Sequence, residues 1–205
     1  MTTLEFLKLL FGTLGASLWL VLWGRSGTRS FPISDLSSAA GYAIEQGQSQ
    51  DIYFAPGLQA VEPLGRARGE ARTVGVIPGL WLDLDVAGGA HAKEAAQLPT
   101  MEQAKLLLEN APWQPTITIH TGGGLHAYWL FQEPWVLDTS ELNQAAQHLS
   151  RSFQYYFIDA GHAMGFHVDC TAPINQVLRL PGTRNHKYNP AFQVTIQQAD
   201  ETRLK

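Results

Sequence analysis

The 205-residue sequence holds a single cysteine, Cys170. One thiol builds neither a disulfide framework nor a thiolate metal site, and its scarcity fits the reducing cytoplasm. No segment is of low complexity and none repeats, which excludes solenoid and propeller arrays. An excess of positive charge is missing too, since 14 Lys and Arg stand against 18 Asp and Glu. Indiscriminate nucleic-acid binding therefore finds no support in the net charge, and any such binding would rest on clustered cations.

An uninterrupted membrane span is also absent. The apolar stretch from Phe6 to Trp23 approaches the roughly 20 residues of a span. However, Glu5 precedes it, Lys8 interrupts it, and Gly12, Thr13, Gly15 and Ser17 cluster in its middle. These residues predict a turn between a short helix (4–11) and a strand (18–23). No basic leader or small-residue cleavage site accompanies it. The expectation is a soluble core without a membrane partner.

What is present is an ordinary apolar fraction of 45% and enough length for one large domain or two small ones. The most informative stretch is Trp81-Leu82-Asp83-Leu84-Asp85-Val86. Strand alternation puts Asp83 and Asp85 on one face and Leu82 and Leu84 in a core. Paired carboxylates on an apolar strand repel each other, and a divalent cation between them is the simplest remedy. A merely wet strand end, with Gly88-Gly89 starting the next loop, is the structural alternative.

Along the chain, Arg25 to Ser30 reads as a polar loop, and Ser34 or Asp35 caps a helix carrying Leu36, Ala40 and Ala43. A buried strand is expected at 51–56. The segment from Glu62 to Gly75 holds Arg66, Arg68 and Arg72 among glycines, a basic loop. After a loop through His91 to Pro99, Thr100 and Gln103 have the spacing of a capping box. Strands at 116–120 and 125–131 flank a turn at Thr121-Gly122-Gly123-Gly124. Asp138 to Glu141 opens a long helix whose apolar face is expected at Leu142, Ala145, Leu149, Phe153 and Tyr156. Strands into Asp169, over 176–180 and over 192–196 complete an α+β pattern.

Consecutive glycines cost conformational entropy, so the 122–124 turn must need positive dihedrals or close backbone approach. Bare N–H groups can form an anion nest, and His126 and Thr121 beside them suit a phosphate. His126 is expected to face away from the packed side, next to Tyr128. Further on, Asp169 is a candidate to complete a carboxylate trio. Arg179, flanked by Leu178 and Leu180, calls for an anionic partner, and Arg184, His186 and Lys187 add a basic turn. Together these groups outline a two-metal phosphoryl-transfer site using Mg²⁺ or Mn²⁺ on oxygen ligands.

The order Asp83-x-Asp85, Thr121-Gly-Gly-Gly-Leu-His126-Ala-Tyr-Trp129, Asp169, then Arg179-Leu-Pro-Gly-Thr-x-Asn185-x-Lys187 resembles the archaeo-eukaryotic primase superfamily. The likeness is greatest to its primase-polymerase branch, found in phage, plasmid and CRISPR-associated replication proteins. It spans roughly the acidic strand to Lys187, and Thr121 stands where the motif often has serine. The resemblance implies one catalytic domain over 1–205, with an α/β subregion at 1–75 and a metal-bearing RRM-like subregion at 76–200. It implies Asp83, Asp85 and Asp169 as catalytic metal ligands. Thr121, Gly122, Gly123, Gly124, His126, Arg179 and Lys187 would contact nucleotide; Arg66, Arg68, Arg72, Arg184 and His186 are candidate nucleic-acid contacts. The implied partners are a DNA template, a primer and dNTP or NTP, with a helicase or a C-terminal accessory module often accompanying the family. The chain ends soon after its last strand, which fits an isolated catalytic domain better suited to extending primers than to starting them. Competing readings are a metal-dependent nuclease, a nucleotidyltransferase with another acceptor, and a non-enzymatic RRM-like nucleic-acid-binding module. The last would need exposed aromatics on its sheet.

Overall fold

A computed structural model describes residues 1–15, 17–65, 67–88 and 97–204. Helix α1 (Thr3–Phe11) opens on a capping box between Thr2 and Glu5 and buries Phe6, Leu7, Leu10 and Phe11. The chain breaks at Gly12 and enters β1 (Trp19–Gly24), so the amino-terminal apolar run is helix, turn and strand, as its small and polar residues predict. No helix among the described residues is long and apolar enough to cross a membrane.

The stretch expected as a polar loop is a correction. It is a tight turn into β2 (Gly27–Pro32), which pairs with β1 from Trp19↔Pro32 to Gly24↔Gly27. An edge strand with one wet face tolerates Thr28, Arg29 and Ser30, and its proline sits at the end where no ladder bond is lost. Asp35 then caps α2 (Leu36–Gln46), its side chain accepting from the Ser38 amide.

The remaining elements are β3 (Ile52–Phe54), β4 (Leu58–Gln59), β5 (Val74–Asp85), α3 (Met101–Glu109), β6 (Ile117–His120), β7 (Gly124–Val136) and α4 (Ser140–Ala163). They are followed by β8 (Leu178–Arg179), β9 (Arg184–Asn185), β10 (Phe192–Gln193) and β11 (Thr195–Ala199). Nine strands make one sheet in the order β11-β6-β7-β5-β4-β1-β3-β8, with β2 added to β1, and β9 and β10 pair separately. Every pairing is antiparallel. The fold is α+β, centred on the β6–β7 hairpin and the acidic strand β5.

The sheet forks. One end of β1 pairs with β4, which leads to β5, while its other end pairs with β3, which leads to β8. The expected subregion boundary at 75/76 falls at the start of β5, and β8 returns from the carboxy-terminal side to pair with β3. Both subregions thus share the sheet. On one face α1 and α2 cover a core of Leu20, Leu22, Phe54, Trp81 and Tyr128; on the other α3 and α4 cover Leu82, Leu84, Leu125, Ala127 and Trp129. Strands β5 and β7 are therefore sandwiched, which rigidifies whatever their ends carry.

Helix α4 departs from expectation. Its cap is Thr139, which accepts from the Leu142 amide, and its buried residues are Asn143, Ala146, Ser150, Gln154, Phe157 and Gly161. The apolar stripe predicted through Leu149 and Tyr156 is rotated outward, leaving both more than a third exposed. Polar groups win the inner face because each finds backbone partners. Asn143 donates to the carbonyls of Ala71 and Val74, Ser150 to Ala172, and Gln154 to Trp81. A buried polar side chain costs little once its bonds are made. The segment carrying Asp169 is irregular rather than a strand, and the last expected strand is split at Val194.

Candidate active site

The carboxylates end a strand that has no freedom to move. Leu82 and Leu84 are fully buried on the α3/α4 side, so alternation turns Asp83 and Asp85 to the other face, beyond fully buried Trp81. There they line a cleft in the fork of the sheet, together with Tyr53, Thr121, Gly123, His126, Arg179, Asn185, Lys187 and Tyr188. The cleft encloses about 90 Å³. Pockets that engulf whole small molecules hold roughly 300–1,000 Å³, so this one suits an ion and phosphate oxygens, not a complete nucleotide. A larger groove of about 360 Å³ between α3, β6 and β11 is lined by Lys105, Glu109 and His120, without paired acids.

His126 stands directly opposite Asp83 in the β5–β7 ladder, its Nε2 3.4 Å from Asp83 Oδ1. The face expected to be unpacked is packed: His126 is 3% exposed, and Tyr128 is fully buried against the rings of Phe6 and Phe54. Both faces of β7 are covered, because α1 closes the side the sequence left open. Burial, assisted by the positive charge of Arg179 and opposed by Asp85, lowers the His126 pKa to about 3. The imidazole is neutral, and its Nδ1 is buried without a hydrogen-bond partner among the described residues.

The glycines divide their roles. Gly122 has φ +90°, a conformation side chains rarely adopt, and a Cβ there would meet the Phe192 ring. A Cβ on Gly124 would lie 1.9 Å from the Leu84 carbonyl oxygen, so Gly124 lets the hairpin approach the acidic strand. Only Gly123 and Thr121 of the turn line the cleft. The Thr121 amide and hydroxyl both donate to the Gly124 carbonyl at 3.0 and 3.2 Å.

Arg179 leaves β8 between buried Leu178 and Leu180, as its flanks predict, and its own side chain is nearly buried. Its anionic partner comes from this chain. Nη1 donates to Asp51 Oδ1 at 2.7 Å, and the guanidinium lies 4.7 Å from the Tyr53 ring centre. Asp51 also accepts from the His186 amide at 2.8 Å. Burial alone would raise the Asp51 carboxyl, but the Arg179 and His186 hydrogen bonds outweigh it and hold the pKa below the ordinary value. Asn185, buried, donates to the Thr121 carbonyl at 2.7 Å and so ties the basic turn to the glycine hairpin.

Of the residues singled out in the sequence, the structure gathers Asp83, Asp85, Thr121, Gly123, His126, Arg179 and Lys187 around one cleft. Arg184 is exposed on β9 outside that lining, and the His186 ring reaches the Gly47 carbonyl at 3.0 Å, a structural tie rather than a free cation. Arg72 is ion-paired with Glu70, exposed Arg68 lies over Trp23, and Arg66 and His91 lie outside the described residues.

Asp169 does not line the cleft. Its carboxylate is 2.9 Å from His167 Nε2 on the surface. Its segment flanks the acidic strand on the face away from the carboxylates: Val168 packs with Leu82 and Leu84, and Gln154 links the Trp81 carbonyl to the Thr171 amide. Among the described residues no group of three or more His, Cys, Asp and Glu is arranged to hold a metal ion. The donor set still suits a hard ion, since Mg²⁺ is commonly held by one or two carboxylates with substrate phosphates supplying the rest.

Asp51, Tyr53 and Tyr188 escape sequence reasoning. Asp51 begins an expected strand and carries no local sign of a partner 128 positions away. Asn185 was visible only as a motif letter.

No family model matches the chain, and no curated protein matches it. Solved structures do. The archaeo-eukaryotic primase domain of the cyanophage S-2L primase-polymerase aligns with a TM-score of 0.54 at 19% identity, covering 97% of this chain and 89% of that one. The primase RepB′ aligns with a TM-score of 0.53 at 13% identity, covering 96% of this chain and 56% of the other. Both are members of the archaeo-eukaryotic primase superfamily, and the fold of this chain is theirs.

Proposed function

We propose that the chain is a primase-polymerase: a nucleotidyltransferase that joins a dNTP or NTP to a primer 3′-hydroxyl or an initiating nucleotide on a DNA template. The observation that carries this reading is the cleft itself, where paired acids on β5 face a neutral histidine, a glycine hairpin and two cations within about 90 Å³. A nuclease would use the same acids on a single phosphodiester, whereas two cations and a glycine hairpin opposite them favour the several phosphates of a triphosphate.

Asp83 and Asp85 would hold the divalent ion, Mg²⁺ or Mn²⁺, with substrate phosphates completing its shell; Asp169, outside the cleft, is not placed to join them. Bound there, the metal would lower the pKa of the attacking hydroxyl and neutralise charge on the triphosphate. The chain's own residues do the rest. Lys187 and Arg179 attract the phosphates, and Arg179 is fixed in place by Asp51 rather than left to swing. His126, neutral at pH 7, contributes an N–H donor without adding charge to a site that already balances acids with cations. Gly123 and Thr121 bring backbone to the phosphates without side-chain bulk.

Extension of a labelled primer on a template, with dNTP or NTP and Mg²⁺ or Mn²⁺, tests the reading. Template-directed products from the wild type and none from Asp83→Asn are expected. Degradation of the primer without extension would favour the nuclease instead.

A further inference from the structure

A row of two rings flanked by two guanidinium groups leads away from the cleft. Arg179 lies over Tyr53 at 4.7 Å, Tyr53 meets Trp23 with ring centres 5.2 Å apart, and Arg68 lies over Trp23 at 5.2 Å. Trp23 and Tyr53 are direct partners in the β1–β3 ladder, so the strands themselves set the row. They project opposite to Leu22 and Phe54, which pack beneath α1 and α2. On their own face only a small cluster of Val21, Ala55 and Val177 supports them, and both rings stay half-buried.

Two features of this row point to a ligand. Arg68 is exposed and has no carboxylate partner among the described residues, whereas Arg72 on the same loop is paired with Glu70. Tyr53 also lines the cleft beside Asp83, which is too small to enclose a base or sugar. A polymer whose phosphates reach the cleft lays its bases outside it, and this row offers rings to them from Tyr53 outward.

We propose that Trp23, Tyr53 and Arg68 form a stacking platform for single-stranded nucleic acid entering the cleft. Each nucleobase offers a π-face to a ring, and the guanidinium groups attract the backbone. This combination binds single strands with little sequence preference. The proposal rests on the primase-polymerase reading for its purpose but not for its test.

The test is fluorescence anisotropy of a labelled oligothymidylate with the full chain, at several salt concentrations and without metal or nucleotide. Trp23→Ala should weaken binding about tenfold, the loss of one stacked base. Trp23→Phe should stay within about threefold, because a ring remains to stack on. Arg68→Ala should weaken binding and reduce the salt slope by about 0.7, one phosphate contact on a single strand. No strand binding by the wild type, unchanged binding by Trp23→Ala, or equal loss in the Phe and Ala variants would each overturn the platform. Intact strand binding with no primer extension would instead sink the proposed function and leave the platform standing.

Discussion

The two walls of the cleft are built in opposite ways. The acidic wall stands on long strands: β5 and β7 pair from Gly79↔Leu130 to Asp85↔Gly124, and each is buried on both faces. The basic wall stands on strands of two or three residues, and what fixes it is side chains reaching across the sequence, Arg179 to Asp51 and Asn185 to Thr121. The first wall is rigid because of its ladder and could lose a side chain without moving. The second is held chiefly by side-chain ties, the Arg179–Asp51 ion pair and the Asn185–Thr121 hydrogen bond among them. Substitutions on the acidic wall should therefore remove chemistry and spare the fold, while those on the basic wall should disturb both.

The sharpest form of that contrast is Asp83→Asn. Nucleotide incorporation should fall by at least about a thousandfold, the scale at which charge stabilisation of a transition state is lost, with the melting temperature maintained or raised as carboxylate repulsion is relieved. Asp169→Asn should keep most of the activity in the extension assay, because its carboxylate pairs with His167 outside the cleft. An inactive but folded Asp169→Asn enzyme would bring Asp169 into the metal site after all.

On the other wall, Asp51→Ala should destabilise the protein by about 3 kcal/mol, because it strands a buried guanidinium. Chemical denaturation would show it. Activity should fall too, since Arg179 loses its anchor; a variant with full stability would mean that the pair is dispensable and the comparison wrong. Asn185→Ala should cost about 1–2 kcal/mol, leaving the buried Thr121 carbonyl unpaired. Its kinetic signature should be a raised nucleotide KM, as the hairpin is no longer tied to the basic turn.

A further effect, outside the contrast of the two walls, is on acid stability. The buried His126 has its pKa lowered to about 3, so the unfolded chain takes up a proton near pH 6.5 that the folded chain refuses. Stability should therefore fall as pH drops from about 6.5 towards 3, by up to about 1.4 kcal/mol per pH unit for one proton. Asp51, with its folded pKa lowered, adds a loss of the same sign at the acid end, present above the ordinary carboxylate pKa and lost as pH falls through the folded value. In His126→Gln the first loss should vanish and the second persist. Parallel pH profiles of wild type and variant would show that His126 titrates in the folded protein as it does in the unfolded chain. Removal to alanine would confuse matters by opening a cavity, because the side chain is buried rather than on an open face.

Local chemistry made the acidic wall legible in the sequence. Alternation forces Asp83 and Asp85 to one face, Thr100 with Gln103 forms the capping box its spacing announces, and three glycines after Thr121 can only be a turn. Each is decided within a few residues by the backbone's own periodicity. Helix α4 shows where such reasoning fails. Periodicity assumes that apolar residues win the interior, yet Asn143, Ser150 and Gln154 displaced them by bonding to strand and segment carbonyls that no local pattern reveals.

By itself, then, the sequence determined most of the helices, the acidic strand with its glycine hairpin, the α+β class and the identity of the charged groups, because these depend on neighbours along the chain. Tertiary structure alone decided that Asp51 is the partner of Arg179, that α1 closes over Tyr128 and leaves His126 neutral, and that the Asp169 carboxylate turns to His167. It also decided that Trp23 and Tyr53 stand beside each other, with Tyr53 lining the cleft. These depend on how a forked sheet brings distant strands together, and on burial that exists only once the helices have packed.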